Sequence, residues 1–258
     1  MRLQAARLAV SLDAPFAFPI LRALSKDRSA EVRQVAEETL RHLVYKPAYP
    51  LVVRLLGAFV VIRGEIEIRD RDWRSSKARQ FFQILLTEQG RAVPRDYILD
   101  LLWPDMETAP AINNLRVTLN RLSKALEPDR PDGAPSAFIL QQGDTFAINP
   151  TADILLDTTQ FSQKVAEGNK AFYRGQRRDA MLLLRESMQI YGGSYLPDAL
   201  YDDWSTIERE RLLHMFTEAA LLLGEMVLDE GRAHEAVSYT HLRAHETDSY
   251  LVCRLLLE

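Results

Sequence analysis

The sequence predicts a multidomain chain, mainly α-helical with a small β component, and three observations carry that prediction. The 258 residues are 47% hydrophobic, enough to fill cores, and the length exceeds the roughly 100–200 residues of one domain. The hydrophobic period switches from helical to strand-like across Lys46-Pro47-Ala48-Tyr49-Pro50 and returns to helical after Asp153. Between those switches, β-type runs occur only in residues 51–69 and 137–149, and glycines break them.

Residues 1–45 read as a helical pair. Ala14–Leu24 and Ala30–Leu43 flank a Lys26-Asp27-Arg28-Ser29 turn, and Val32, Val35, Ala36, Leu40 and Leu43 form the apolar stripe of the second helix. Ser29 is placed to cap it. One pair cannot bury both faces, so it reads as a unit of a stack. PILRALSKDRSAEVRQVAEETL resembles a HEAT repeat, which implies that the chain starts within a longer protein. Residues 46–50 are a linker, since two prolines in five residues stop a helix.

In residues 51–150, Leu51–Leu56, Phe59–Arg63 and Glu65–Arg69 predict a small antiparallel sheet interrupted at Gly57 and Gly64. Helices follow at Ser75–Gln89, Arg95–Leu102 and Ala109–Leu126, the second bracketed by Pro94 and Pro104. Ala137–Asn149 turns at Gly143-Asp144 and predicts a hairpin. Sheet, three helices and hairpin is the order of a winged helix-turn-helix, with the hairpin as wing. Trp73 and Trp103 belong in its core, and Trp204 anchors the helices of the next module.

The third of these helices is the most informative element. Leu115, Leu119, Leu122 and Leu126 share one face, and Asn113, Arg116, Val117, Asn120, Arg121 and Lys124 lie opposite. Thr108 to Leu126 holds three cations and no acid. Asn and Arg make bidentate hydrogen bonds to base edges in a DNA major groove, so Asn113, Arg116, Asn120 and Arg121 are candidates for base contact. Val117 shares their face. Lys124 and Thr118 are candidates for phosphate contact, which positions without specifying. Lys77 and Arg79, near the start of the first helix, are candidates for the same role. The ordinary alternatives are a surface amide for Asn113, an ion pair to Asp105 or Glu107 for Arg116, and solvated helix ends for Lys77 and Arg79. On the wing, Gln141, Gln142 and Thr145 could reach a groove, but no Arg or Lys occurs between Ala137 and Asn149.

Trp73-Arg74-Ser75-Ser76-Lys77-Ala78-Arg79, Gly90-Arg91-Ala92-Val93-Pro94-Arg95, Leu101-Leu102-Trp103-Pro104-Asp105 and Asn114-Leu115-Arg116 follow in order. Together they resemble the DNA-binding domain of the Streptomyces antibiotic regulatory protein (SARP) family, itself similar to that of response regulators. Leu155-Leu156-Asp157-Thr158-Thr159-Gln160-Phe161, Tyr191-Gly192-Gly193-Ser194-Tyr195-Leu196-Pro197 and Trp204 with Glu208-Arg209-Glu210-Arg211-Leu212 resemble the bacterial transcriptional activation domain. That resemblance assigns residues 151–236 to an all-α, tetratricopeptide-like module. The glycine turns at Gly175 and Gly231 share one form, a polar turn followed by a helix opening with Ala.

The resemblance implies a sequence-specific transcriptional regulator of bacterial type. Helix 109–126 would enter the major groove of double-stranded DNA, as a homodimer or on direct repeats. The helical C-terminal module would serve partner contact, RNA polymerase included. The other class is a non-enzymatic interaction scaffold in which the winged helix meets protein.

Charge is unevenly spread. Residues 1–50 carry +3, residues 51–150 are neutral and residues 151–258 carry −7, so the acidic C-terminal third is unsuited to phosphate. The single cysteine, Cys253, excludes an internal disulfide and a Cys-rich metal site. No P-loop, HExxH, GxSxG or dinucleotide fingerprint occurs, and the five histidines do not converge with acids at metal spacing. The expectation is a protein without enzymatic activity, cofactor or metal. No run of about 18 apolar residues and no signal-peptide cleavage region occur, so a cytoplasmic, membrane-free location is expected. Val237–Glu258 resembles a translated sequencing adaptor and is expected to be a non-native tail.

Overall fold

The computed structural model describes residues 14–42, 45–131 and 134–232. The tail 237–258, with Cys253, His241 and His245, and the helix start at Ala233 lie outside the described residues. By contacts, the chain forms two units: residues 1–51 with 63–154, and residues 52–62 with 155–258. Residues 52–62 therefore group with the C-terminal module, whereas the sequence pattern joins them to the winged helix.

In the first unit, α1 (Ala14–Leu24) and α2 (Ala30–His42) pack through Ala17, Leu21 and Ala36. The small residues let the two helices approach closely. The Asp27 carboxylate accepts the Ser29 N–H at 3.0 Å and tightens the turn between them. Residues 45–50 are not a free linker: Tyr45 and Pro47 are buried. Tyr45 meets Phe18 edge-on at 6.1 Å, in a cluster with Ala134.

The three sequence-predicted helices form, as α4 (Ser76–Thr87), α5 (Arg95–Leu102) and α6 (Thr108–Leu126). A one-turn helix, α3 (Asp70–Trp73), precedes them; the Arg69 N–H donates to the Asp72 carboxylate at 3.0 Å and starts it. Arg74 then turns left-handed, at φ 55°. Trp73 is buried against Phe82, ring centroids 6.0 Å apart, whereas Trp103 is only half-buried. Phe81 meets Phe146 edge-on at 5.5 Å and joins α4 to the hairpin.

The hairpin consists of β5 (Ile139–Gln142) and β6 (Thr145–Ile148). Gly143 supplies the positive φ, 58°, that a two-residue turn with glycine first requires. A strand not predicted from sequence, β4 (Val93–Pro94), pairs with β6 in register Val93↔Phe146, giving the order β4-β6-β5. Pro94 sits at the sheet edge, where its missing N–H costs no ladder bond.

In the second unit, β1 (Leu51–Arg54) lies between β2 (Val60–Arg63) and β7 (Ile154–Leu156). The third predicted run shortens to β3 (Ile66–Glu67), whose residues belong to the first unit. α7 (Asp157–Tyr173) and α8 (Arg177–Ile190) form a tight antiparallel pair, followed by a 3-10 turn at Pro197–Ala199 and the long α9 (Asp203–Asp229). Tyr191 stacks on Phe216 at 4.1 Å and leans on Phe161 at 5.3 Å, which centres the core of this module.

Asp157 opens α7 by accepting the backbone N–H groups of Leu55 at 2.8 Å, Leu56 at 2.9 Å and Thr158 at 2.8 Å. Burial pushes its carboxyl up, and these donors oppose the shift. Gly57 and Gly192 let two chain segments touch: a Cβ on Gly57 would lie 3.0 Å from the Gly192 carbonyl oxygen.

Both glycine turns noted in the sequence close in the same way. The Gln176 N–H reaches the Ala171 carbonyl at 3.0 Å, and the Arg232 N–H reaches the Val227 carbonyl at 3.1 Å. Gly175 and Gly231 supply the left-handed residue. Trp204 is half-buried, and its buried indole N–H finds no acceptor among the described residues.

Gly168 sets the α7–α8 spacing, since a Cβ there would lie 2.8 Å from Leu184. Gly168→Val is expected to destabilise the protein by about 1–3 kcal/mol through overpacking. Urea denaturation is the check, and an unchanged midpoint would show that the pair can part at no cost.

Candidate nucleic-acid interface

α6 begins at Thr108, with Glu107 as its extended N-cap. Pro110 fits its first turn, where a proline's missing N–H leaves no bond unmade. From there the sequence sorts the helix by face. Ala111, Leu115, Leu122, Ala125 and Leu126 are buried, and Asn113, Arg116, Val117, Asn120, Arg121 and Lys124 are exposed. Arg116, Val117, Asn120, Arg121 and Lys124 line one shallow concavity, and Arg74 joins them. No carboxylate lines it. Arg74 was not among the sequence candidates. Its left-handed backbone at the end of α3 brings it there, and the only sequence hint was a cation directly after a core tryptophan.

Thr118 is corrected. It is 3% exposed and cannot meet a phosphate. At 100° per residue it lies about 60° from Leu115, on the packed side, where its methyl group serves the core. Leu119 departs from expectation the other way. It is half-buried, because it lines a groove between α6 and the hairpin with Ile112, Asn120 and Gln141.

Among the described residues, Arg116 forms no ion pair with Asp105 or Glu107. Lys77 and Arg79 are half-buried; the Lys77 ammonium donates to the Gln80 side-chain oxygen at 3.2 Å, and Arg79 is also engaged. The concavity that gathers the α6 side chains includes neither residue.

The hairpin is held down. The Arg95 N–H donates to the Asp144 carbonyl at 2.7 Å, and its guanidinium pairs with the Asp144 carboxylate at 2.6 Å. The hairpin tip thus presents an acid already paired to the start of α5. Gln141 and Gln142 are exposed, and the Thr145 hydroxyl turns back to the Gln142 carbonyl at 2.9 Å.

The far end of α6 is anchored by side chains. The last carbonyls of a helix lack intrahelical partners. Arg63 donates to the Ala125 carbonyl at 2.7 Å and Tyr49 to the Leu126 carbonyl at 3.1 Å. Burial pushes the Tyr49 hydroxyl up, so it stays a neutral donor. Glu127 follows, with its side chain fully buried; it accepts the Ser136 hydroxyl and, at 2.8 Å, the Ala137 N–H. These bonds tie the end of α6 to the segment that enters β5 of the hairpin.

Burial pushes the Glu127 carboxyl up, against the opposing pull of Ser136, Ala137 and Arg130. The folded state therefore holds the Glu127 proton more tightly than the unfolded chain. Stability from this group is present at low pH and falls as pH rises above about 4, the ordinary glutamate range. Urea denaturation from about pH 4 to about pH 8 is expected to show wild type losing stability relative to Glu127→Gln. Parallel profiles would refute the buried-acid assignment.

Residues 156–257 match the family model of the bacterial transcriptional activator domain, which ties this segment to transcription regulation. The match runs across the segment expected to be a non-native tail. No curated protein sequence matches the chain. Among solved structures, Mycobacterium tuberculosis EmbR in complex with a low affinity phosphopeptide is similar, at TM-score 0.65 and 18% identity. The similarity covers 78% of this chain and 51% of that one, so the chain spans about half the length of that structure. At this identity the likeness is one of fold.

Proposed function

We propose that the chain is a sequence-specific DNA-binding transcription regulator that lays α6 in the major groove. The carrying observation is the exposed face of α6, where donors and cations gather around one concavity free of carboxylates. Asn113, Arg116, Asn120 and Arg121 read base edges. Lys124 meets backbone phosphate, joined by Arg74 and flanked by Lys77 and Arg79.

Residues 51–150 act as the DNA-binding domain and residues 151–236 as the activation module, which contacts RNA polymerase. Residues 1–45 add a HEAT-like pair. The protein binds direct repeats as a homodimer. The activator-domain match over residues 156–257 supports this division of labour.

Selection from random duplex DNA by the chain tests the reading. An enriched motif is expected, bound with an affinity that falls steeply with salt as counterions are released. Absence of any enrichment would overturn it in favour of a scaffold that uses the winged helix for protein contact.

A further inference from the structure

The polar face of α6 has one large apolar side chain near its centre. Val117 is 43% exposed. At 100° per residue it lies inside the arc bounded by Arg116 and Arg121, with Asn113 four residues before it and Asn120 three after. It lines the same concavity as Arg74, Arg116, Asn120, Arg121 and Lys124.

A valine is a costly choice for a solvated helix position. Branching at Cβ restricts χ1 and lowers helix propensity, and Val117 is not among the buried core residues. What it supplies is a stiff pair of methyl groups, set among hydrogen-bond donors and cations. The major groove displays one apolar group, the C5-methyl of thymine.

Resting on the reading of α6 as the groove helix, we propose that Val117 is a specificity-determining residue that packs against a thymine C5-methyl. Asn113 and Asn120 stand about 6 Å and about 4.5 Å from it along the helix axis at 1.5 Å per residue. Base steps are about 3.4 Å, so the thymine lies within about two steps of an adenine read by an asparagine.

The test replaces each thymine of the selected site in turn by uracil, which pairs identically and lacks only the methyl group. One replacement is expected to weaken binding by the full chain about fourfold, the worth of one buried methyl. Val117→Ala is expected to bind the thymine and uracil forms alike at that position. The variant alters an exposed side chain, and the uracil series on wild type needs no variant at all. A selected site in which no uracil matters, or a Val117→Ala protein that keeps the discrimination, overturns the methyl contact while leaving the groove reading intact. Failure to select any site overturns both.

Discussion

Replacing Arg116 and Asn120 together by alanine is expected to weaken binding to the selected duplex by at least about thirtyfold, at about 1–3 kcal/mol for each bidentate base contact. Both side chains are exposed on α6, so the fold should be untouched. The loss should be confined to the preferred sequence, with non-specific affinity falling far less. Lys124→Ala should behave differently, weakening all sequences alike and reducing the salt slope by about 1. Thr118→Val should change neither, since Thr118 is buried. Fluorescence anisotropy across a salt series reads all three. An Arg116/Asn120 double variant that keeps its preference would move base reading away from α6.

Arg209→Met is expected to cost about 2 kcal/mol or more, because the change takes the guanidinium donor from the Tyr195 and Leu200 carbonyls at about 1–3 kcal/mol each, while the Ala199 carbonyl keeps the Asp202 N–H at 3.2 Å and the Ser205 hydroxyl at 2.9 Å. Arg209 is 3% exposed. Its guanidinium donates to the carbonyls of Tyr195 at 3.1 Å, Leu200 at 3.1 Å and Ala199 at 2.7 Å, and also to the Ser205 hydroxyl. It thereby organises a loop whose Leu196 is held left-handed, at φ 43°, and fully buried. Arg209→Lys should restore little, since one ammonium cannot span three carbonyls in a fixed fork. Urea denaturation measures both, and a loss below about 1 kcal/mol would mean that the loop holds itself.

Local chemistry made much of this fold readable. α5 ran from Arg95 to Leu102 as predicted because prolines bracket it, and the hairpin turned at Gly143-Asp144 because glycine accepts the positive φ. β4 was not readable: two residues, one of them proline, carry no strand signal, and only pairing with Phe146 makes them a strand. The exposed arc of α6 followed from the leucine spacing. Thr118 departs from its expected exposure because its angle of about 60° from Leu115, and not its polarity, sets its burial. Arg74 was missed because a left-handed turn, not a periodic pattern, delivers it to the concavity. Glu127, an acid at the end of a helix, gave no sign of burial, since its partners Ser136 and Ala137 sit across a loop.

The packed state of residues 45–50 has a practical consequence for dissecting the protein. A fragment begun at Leu51, where the strand pattern starts, would lose the hydroxyl that holds the Leu126 carbonyl and the ring that lies on Phe138, centroids 6.5 Å apart. It would also lose both partners of the Phe18–Tyr45 contact. The last turn of α6 would then be free to fray, and with it the platform beneath Arg121 and Lys124. The covalent boundary of the unit that carries α6 and its mechanical boundary are different places, and the mechanical one lies upstream of Tyr45.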